Sequence, residues 1–273
     1  MSNFLQRLFT ALIGAALVIF SILYSEWTFL LLLILMVTLG LREFYSLSKG
    51  DGIQPQAMFG ILLGLVPFLS PLLNSALKIE MNFLPLLLIL PYFIFIRELY
   101  TKAEKPFTNI AYTLLGPVYI SASVFMFYLF SFQGLEQGTY HGTNIVGFFL
   151  LLWANDTGAY LAGRWLGKTK LFERISPKKT WEGVFGGIVL TAIVASIISR
   201  YFTNIDVVNW YIIAGIIILT GTLGDLVESL FKRSIHTKDS SSLLPGHGGV
   251  LDRFDGLFIS APFVFFYMLM MVP

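Results

Sequence analysis

The chain has 273 residues, of which 56% are hydrophobic and only 12% are charged. Soluble domains average about 25% charged residues, so the composition excludes an ordinary soluble enzyme and points to a chain that lives in a bilayer. It has no cysteine, which excludes disulfides and thiolate metal sites, and its net charge of +2 matters less than where the charges sit.

In chain order, Met1 to Gln6 carry no charged side chain, and Arg7 leads into an apolar run with no small-residue cleavage pattern. The run is expected to stay in the protein as a first membrane helix rather than to be removed as a signal peptide. Crossing the hydrocarbon core takes roughly 20 mostly apolar residues. About nine such runs can be read, at 8–25, 27–42, 58–77, 81–98, 110–132, 144–164, 181–202, 207–231 and 251–272. The fold expected is therefore all-α, a polytopic integral membrane protein of about nine transmembrane helices.

With the N-terminus cytoplasmic, all 18 lysines and arginines except Lys78 and Arg200 fall on the cytoplasmic side, as the positive-inside rule requires. The longest polar stretches, 165–180 and 232–250, are then cytoplasmic loops, and the cation-free 131–144 is an outside connection. No internal repeat is visible, which argues against an inverted-repeat transporter. The first five runs are nearly pure Leu, Ile, Val and Phe, whereas the last four hold Asp156, Glu182, Asp225, Glu228, Asp252 and Asp255. Residues 1–140 read as an N-terminal scaffold and 141–273 as the working part, with its polar loops on the cytoplasmic side.

A carboxylate at the centre of a membrane helix costs about 2.5–3.5 kcal/mol even on the lenient insertion scale, so each needs a partner or a wet cavity. Asp156 lies between Asn155 and Thr157 in "LLWANDTGAYLAGRWLG"; a neighbouring helix could satisfy it, but its polar company favours a purposeful face. In "ERISPKKTWEGVFGG", Lys178 and Lys179 could merely obey the positive-inside rule. Ser176, Pro177 and Thr180 fix the loop around them, and Gly183 and Gly187 allow close helix packing, so an anion pocket is a second reading. Asp225, Glu228 and Ser229 share one helix face by spacing. Glu228 has Lys232 at i+4, while Asp225 has no cation at i+3 or i+4.

The densest group is "PGHGGVLDRFDG". A helix N-terminus favours carboxylates, which accounts for one of Asp252 and Asp255 but not both. Two carboxylates at i, i+3, with Asp225 on the preceding helix, make an oxygen-rich site suited to Mg²⁺, alone or with a second cation. The glycines at 248 and 249 permit close backbone approach, and amides at a helix start suit phosphate. A plain turn is the bland alternative. His247 alone is ambiguous.

These residues resemble a known signature. "SLFKRSIHTKDSSSLLPGHGGVLDRFD" (229–255) is similar to the motif of the phosphatidate cytidylyltransferases, also called CDP-diacylglycerol synthases. Ser229, Lys232, Arg233, Lys238, Asp239, His247, Gly248, Gly249, Asp252, Arg253 and Asp255 match it position by position. "SPKKTWEG" and "WANDTGAYLAGR" resemble two further family motifs, while residues 1–140 match only as apolar spans. The resemblance implies an Mg²⁺-dependent transfer of CMP from CTP to phosphatidate within the membrane. It implies Asp225, Asp252 and Asp255 as metal-holding and catalytic carboxylates, with Lys238 and Arg253 as catalytic cations. Asp156, Ser176, Lys178, Lys179, Thr180, Lys232, Arg233, His247, Gly248 and Gly249 are then substrate-binding. CTP, phosphatidate and membrane lipids are the expected partners, nucleic acid is not, and a homodimer is left open. Rival readings are the same chemistry on another lipid phosphate, as in a CDP-archaeol synthase, and an ion-coupled transporter. A CDP-alcohol phosphatidyltransferase is disfavoured by the lack of its aspartate motif.

Overall fold

Apolar runs without charge have one way to satisfy their backbone in lipid, the helix, and helices dominate the chain. The computed structural model describes residues 3–49, 52–77, 82–83, 85–136, 138–235, 237 and 248–271. In order these form α1 (Asn3–Tyr24), α2 (Glu26–Leu47), α3 (Ala57–Leu77), α4 (Leu86–Leu99), α5 (Pro106–Gly116), a π-helical turn (Pro117–Ser121) and α6 (Ala122–Phe130). After them come α7 (Gly142–Leu166), a hairpin of β1 (Lys170–Phe172) and β2 (Ser176–Thr180), α8 (Trp181–Tyr201), α9 (Val207–Ser234) and α10 (Leu251–Met271). Large apolar side chains such as Leu88, Phe107, Phe185 and Val208 are more than half exposed, as lipid-facing positions are. The chain is a polytopic membrane protein.

Among the described residues, seven helical stretches are long and apolar enough to cross a membrane, the continuous 106–130 segment counting as one. One expected span falls short of that measure: α4 has 14 residues, roughly 21 Å of helix against a core of about 30 Å. The sequence pattern also gave no sign of the antiparallel β1–β2 ribbon, which pairs Lys170 with Thr180 and Phe172 with Ser176. Finally, α9 runs on to Ser234, so Lys232 and Arg233 occupy its last turn rather than a loop.

Two compact units, each discontinuous in sequence, make up the chain. The first comprises Met1–Gly14, Trp27–Phe125 and Asp239–Arg253. Its centre is Tyr45, 1% exposed, whose hydroxyl donates to Thr113 O at 2.7 Å. That carbonyl is available because Pro117, four residues on, has no N–H to offer it. Gly60 and Gly64 leave the room taken by Tyr45 and by Leu41 with Ser121, so this pair of glycines packs helices within the chain. Below lies a buried polar knot: Glu98 accepts from Gln56 Nε2 at 2.5 Å and from Asn109 Nδ2 at 2.8 Å.

The second unit comprises Ala15–Glu26, Met126–Lys238 and Phe254–Pro273. α7 and α8 lie backbone to backbone in it. A Cβ added at Gly183 would come within 2.9 Å of Ala159 O, and one at Gly187 within 2.6 Å of Asn155 Oδ1, which bears out the close packing expected of those glycines. Trp210, fully buried, fills the space beside Gly147 and donates to Phe202 O at 3.0 Å. Tyr140 ties the loop before α7 to the end of α1 through Ile22 O at 2.7 Å.

Candidate active site

In the second unit the carboxylates of α7, α9 and α10 come together. Gly224 on α9 meets α10 at Gly256, since a Cβ at Gly224 would stand 2.7 Å from Asp255 O and 3.0 Å from Gly256 Cα. Backbones this close bring the neighbouring side chains together, and Asp255 and Asp225 are near enough to act on each other electrostatically. It is also in electrostatic range of Glu228, while Asp156 on α7 is in range of Asp225 and Lys179. Carboxylates this near one another repel, so positive charge beside them is favourable.

One cation is already present. Lys179 Nζ contacts Asp225 Oδ2 at 2.5 Å and Thr222 O at 3.3 Å. It answers the question that spacing left open, because the partner of Asp225 comes from β2 rather than from its own helix. Strand geometry explains why Lys179 does this and Lys178 does not. Successive side chains on a strand point to opposite faces, so Lys179 turns inward while Lys178 is exposed. The ribbon that aims them is held at both ends. Thr180 Oγ1 caps α8 by accepting from Gly183 N at 3.2 Å, and Glu182 accepts from the amides of Lys168 and Thr169 at 3.1 Å each. Thr180 therefore anchors the start of α8. Ser176, half-buried, opens the strand.

Lys232 pairs with Glu228 at 2.5 Å, the i, i+4 bridge that the spacing allowed, and Arg233 beside it is exposed. At the start of α10, in the first unit, Gly248 has φ +80°, open to glycine and strained for other residues. A Cβ there would also crowd Asp252 Oδ2 at 2.6 Å. Asp252 accepts from Gly249 N at 2.9 Å, so of the two signature aspartates it is the one that caps the helix. Asp255 accepts from Gly256 N at 2.8 Å.

Between the two aspartates the backbone leaves helical geometry at Phe254 (φ −123°, ψ 15°). The i, i+3 spacing thus loses its force as a reason for Asp252 and Asp255 to share a face. Among the described residues no group of three or more His, Asp or Glu side chains converges as a metal centre would. The fit to Mg²⁺ rests on the Asp225–Asp255 pair, all-oxygen and in need of positive charge. That suits an ion bound by one or two carboxylates plus substrate phosphates. Lys238 and His247 lie outside the described residues, and Arg253 is exposed.

The sequence pattern missed Gly224 and Gly256, although each sits beside an aspartate, which was the available signal. It also missed Glu43 on α2, which accepts from Val250 N and Leu251 N at 3.0 Å each. The amides that seemed suited to substrate phosphate are thus engaged by the chain's own carboxylates.

Residues 5–271 match the model of the cytidylyltransferase family. This chain belongs to that family. Full-length similarity agrees: it is 33% identical over 271 residues to the phosphatidate cytidylyltransferase of Bacillus subtilis, covering 96% of this chain and 97% of that one. It is 32% identical over 300 residues to the enzyme of the same name from Synechocystis, covering 98% and 97%. To the Haemophilus influenzae phosphatidate cytidylyltransferase it is 48% identical over 135 residues, 47% of this chain and 46% of the relative. The Asp225–Asp255 pair and Lys179 thus lie in a chain whose relatives are phosphatidate cytidylyltransferases.

Proposed function

We propose that this protein transfers CMP from CTP to phosphatidate, giving CDP-diacylglycerol and pyrophosphate, from the cytoplasmic face of the inner membrane. The observation that carries the reading is the cation-seeking Asp225–Asp255 pair with Lys179 against it, in a chain matched to the family over almost its whole length.

A phosphate oxygen of phosphatidate attacks the α-phosphorus of CTP, the bond to the β-phosphate oxygen breaks, and pyrophosphate leaves. Both reactants are anions, so the residues work mainly by neutralising charge and fixing positions. Lys179 has spent two contacts on Asp225 and Thr222 O, and a third ammonium hydrogen is available to a phosphate oxygen. The exposed Lys178 and Arg233 receive phosphate groups of the substrates, and the signature implies substrate-directed roles for Ser176, Lys232, Lys238, His247, Gly248, Gly249 and Arg253 as well. No general base is required, because a phosphate monoester with a second pKa of about 6 is largely ionised near neutrality. Asp225 and Asp255 would hold Mg²⁺, a role the signature implies for Asp252 as well, and the ion would supply positive charge that offsets the charge of the phosphates.

The test is incorporation of labelled CMP into lipid by purified protein, with phosphatidate and an ether-linked archaeal lipid phosphate offered separately. Product with phosphatidate and Mg²⁺, lost on chelation, is expected. Product from the archaeal lipid alone, or from neither, overturns the reading. The nine-span arrangement with a cytoplasmic N-terminus belongs to the same proposal. In this cysteine-free chain, single cysteines at Ser240 and Gly138 should label from opposite faces, and labelling from one face would refute it.

A further inference from the structure

Glu43 is a buried carboxylate, 6% exposed, in the last turn but one of α2. Its own helix gains nothing from it there, because the C-terminal end of a helix carries partial negative charge and disfavours anions. Its neighbours in sequence are no help either, since Phe44 and Tyr45 are buried apolar rings and Arg42 is turned outward. What the carboxylate does face is the start of α10. Oε1 accepts from Val250 N and Oε2 from Leu251 N, both at 3.0 Å.

These are orphan donors of a helix N-terminus, the place where a negative charge is best stabilised. With Asp252 accepting from Gly249 N, three successive amides are held by two carboxylates. Gly40, one turn earlier on α2, lies against Leu251 at 3.8 Å from where a Cβ would stand, so the same face of α2 also seats the first apolar residue of α10. The result is a two-point clamp, polar and apolar, on the segment that carries Gly248, Gly249, Asp252 and Arg253.

We infer that Glu43 is a positioning residue for the reaction: it fixes the start of α10 so that Asp252 and Arg253 are presented in one orientation, and it fills the anion-attracting helix end that a substrate phosphate would otherwise enter. The role rests on the proposed cytidylyl transfer, but its structural half can be read without turnover.

Glu43→Gln keeps the size and one acceptor, and sets an N–H₂ against a backbone N–H. Glu43→Ala removes both acceptors. In detergent-solubilised protein, hydrogen exchange of the backbone amides at 250 and 251 should accelerate at least tenfold in Glu43→Ala relative to the parent. In the same preparations kcat/KM for CTP should fall about 10- to 100-fold, the scale of a small misplacement of a reacting group. Added formate should restore part of it in Glu43→Ala and none in Glu43→Gln, where the amide fills the space. Unchanged exchange at 250 and 251 overturns the clamp. Faster exchange with activity lost only in proportion to folded protein, and no formate rescue, overturns the positioning role. A parent protein without CMP transfer sinks the proposed function instead, and the exchange result still judges the clamp.

Discussion

Both units hold carboxylates among their helices, but they satisfy them in different ways. In the first, Glu98 is met by the carboxamide groups of Gln56 and Asn109, and Glu43 by two backbone amides. Neutral donors in fixed geometry meet these carboxylates, which stiffens the fold. In the second, Asp225 faces Asp255 with Lys179 as its cationic neighbour, and Asp156 and Glu228 add further negative charge nearby. Two kinds of carboxylate follow: one, as at Glu98, is completed by donors of the protein, and the other, as at Asp225, sits beside further carboxylates and is the kind we propose for chemistry.

The sharpest way to break this comparison is to neutralise the needy pair. Asp225→Asn and Asp255→Asn should each cut CMP transfer by about 10²–10³-fold, the scale of losing one transition-state-stabilising group. Both variants should insert and fold: Asp255→Asn removes an unfavourable repulsion, and Asp225→Asn keeps an amide oxygen that still accepts from Lys179. Steady-state rates at saturating Mg²⁺, normalised to folded protein, decide it; near-parent activity in either variant would remove that residue from the site.

Next in size is the division between adjacent lysines. Lys179→Ala should lower turnover by at least about tenfold, because it leaves Asp225 without its ion-pair partner, whereas Lys178→Ala should weaken CTP binding by about threefold or less, as a solvated cation would. KM and kcat measured for both would expose the error if the two losses were equal.

A smaller effect is expected where α9 and α10 touch. Gly224→Ala places a methyl group against Asp255 O and should cost about 1–3 kcal/mol by overpacking. Activity should fall more than thermal stability does, as the two aspartates are pushed apart. Matching losses in melting temperature and rate would mean that the contact is structural only.

The least effect on chemistry belongs to the first unit's own network. Glu98→Gln should cost about 1–3 kcal/mol of stability, as a buried acceptor becomes a donor facing donors, with turnover per folded molecule unchanged. Lys49→Ala, at the exposed end of the scaffold, should leave both untouched. A selective loss of turnover in Glu98→Gln would erase the distinction between the units.

Most of the helices were legible because membrane helices announce themselves by local composition: the lipid solvent forbids the backbone any alternative. The charged residues worth attention were legible for the same reason, since each carries a cost that only a purpose offsets, and the Glu228–Lys232 bridge followed from helix spacing alone. What spacing could not give was contact between elements. Lys179 reaches Asp225 because a hairpin turns it there, and alternation on that strand sends Lys178 the other way. Asp252 and Asp255 are parted in role by a kink at Phe254 that no residue type there demands, and Glu43 acts on amides more than 200 positions away. The sequence by itself determined the solvent, the helices and the list of costly charges, because each of those depends on neighbours along the chain. Which charge meets which was decided by the tertiary structure, because Coulomb and hydrogen-bond energies fall off with distance in space and take no account of distance in sequence.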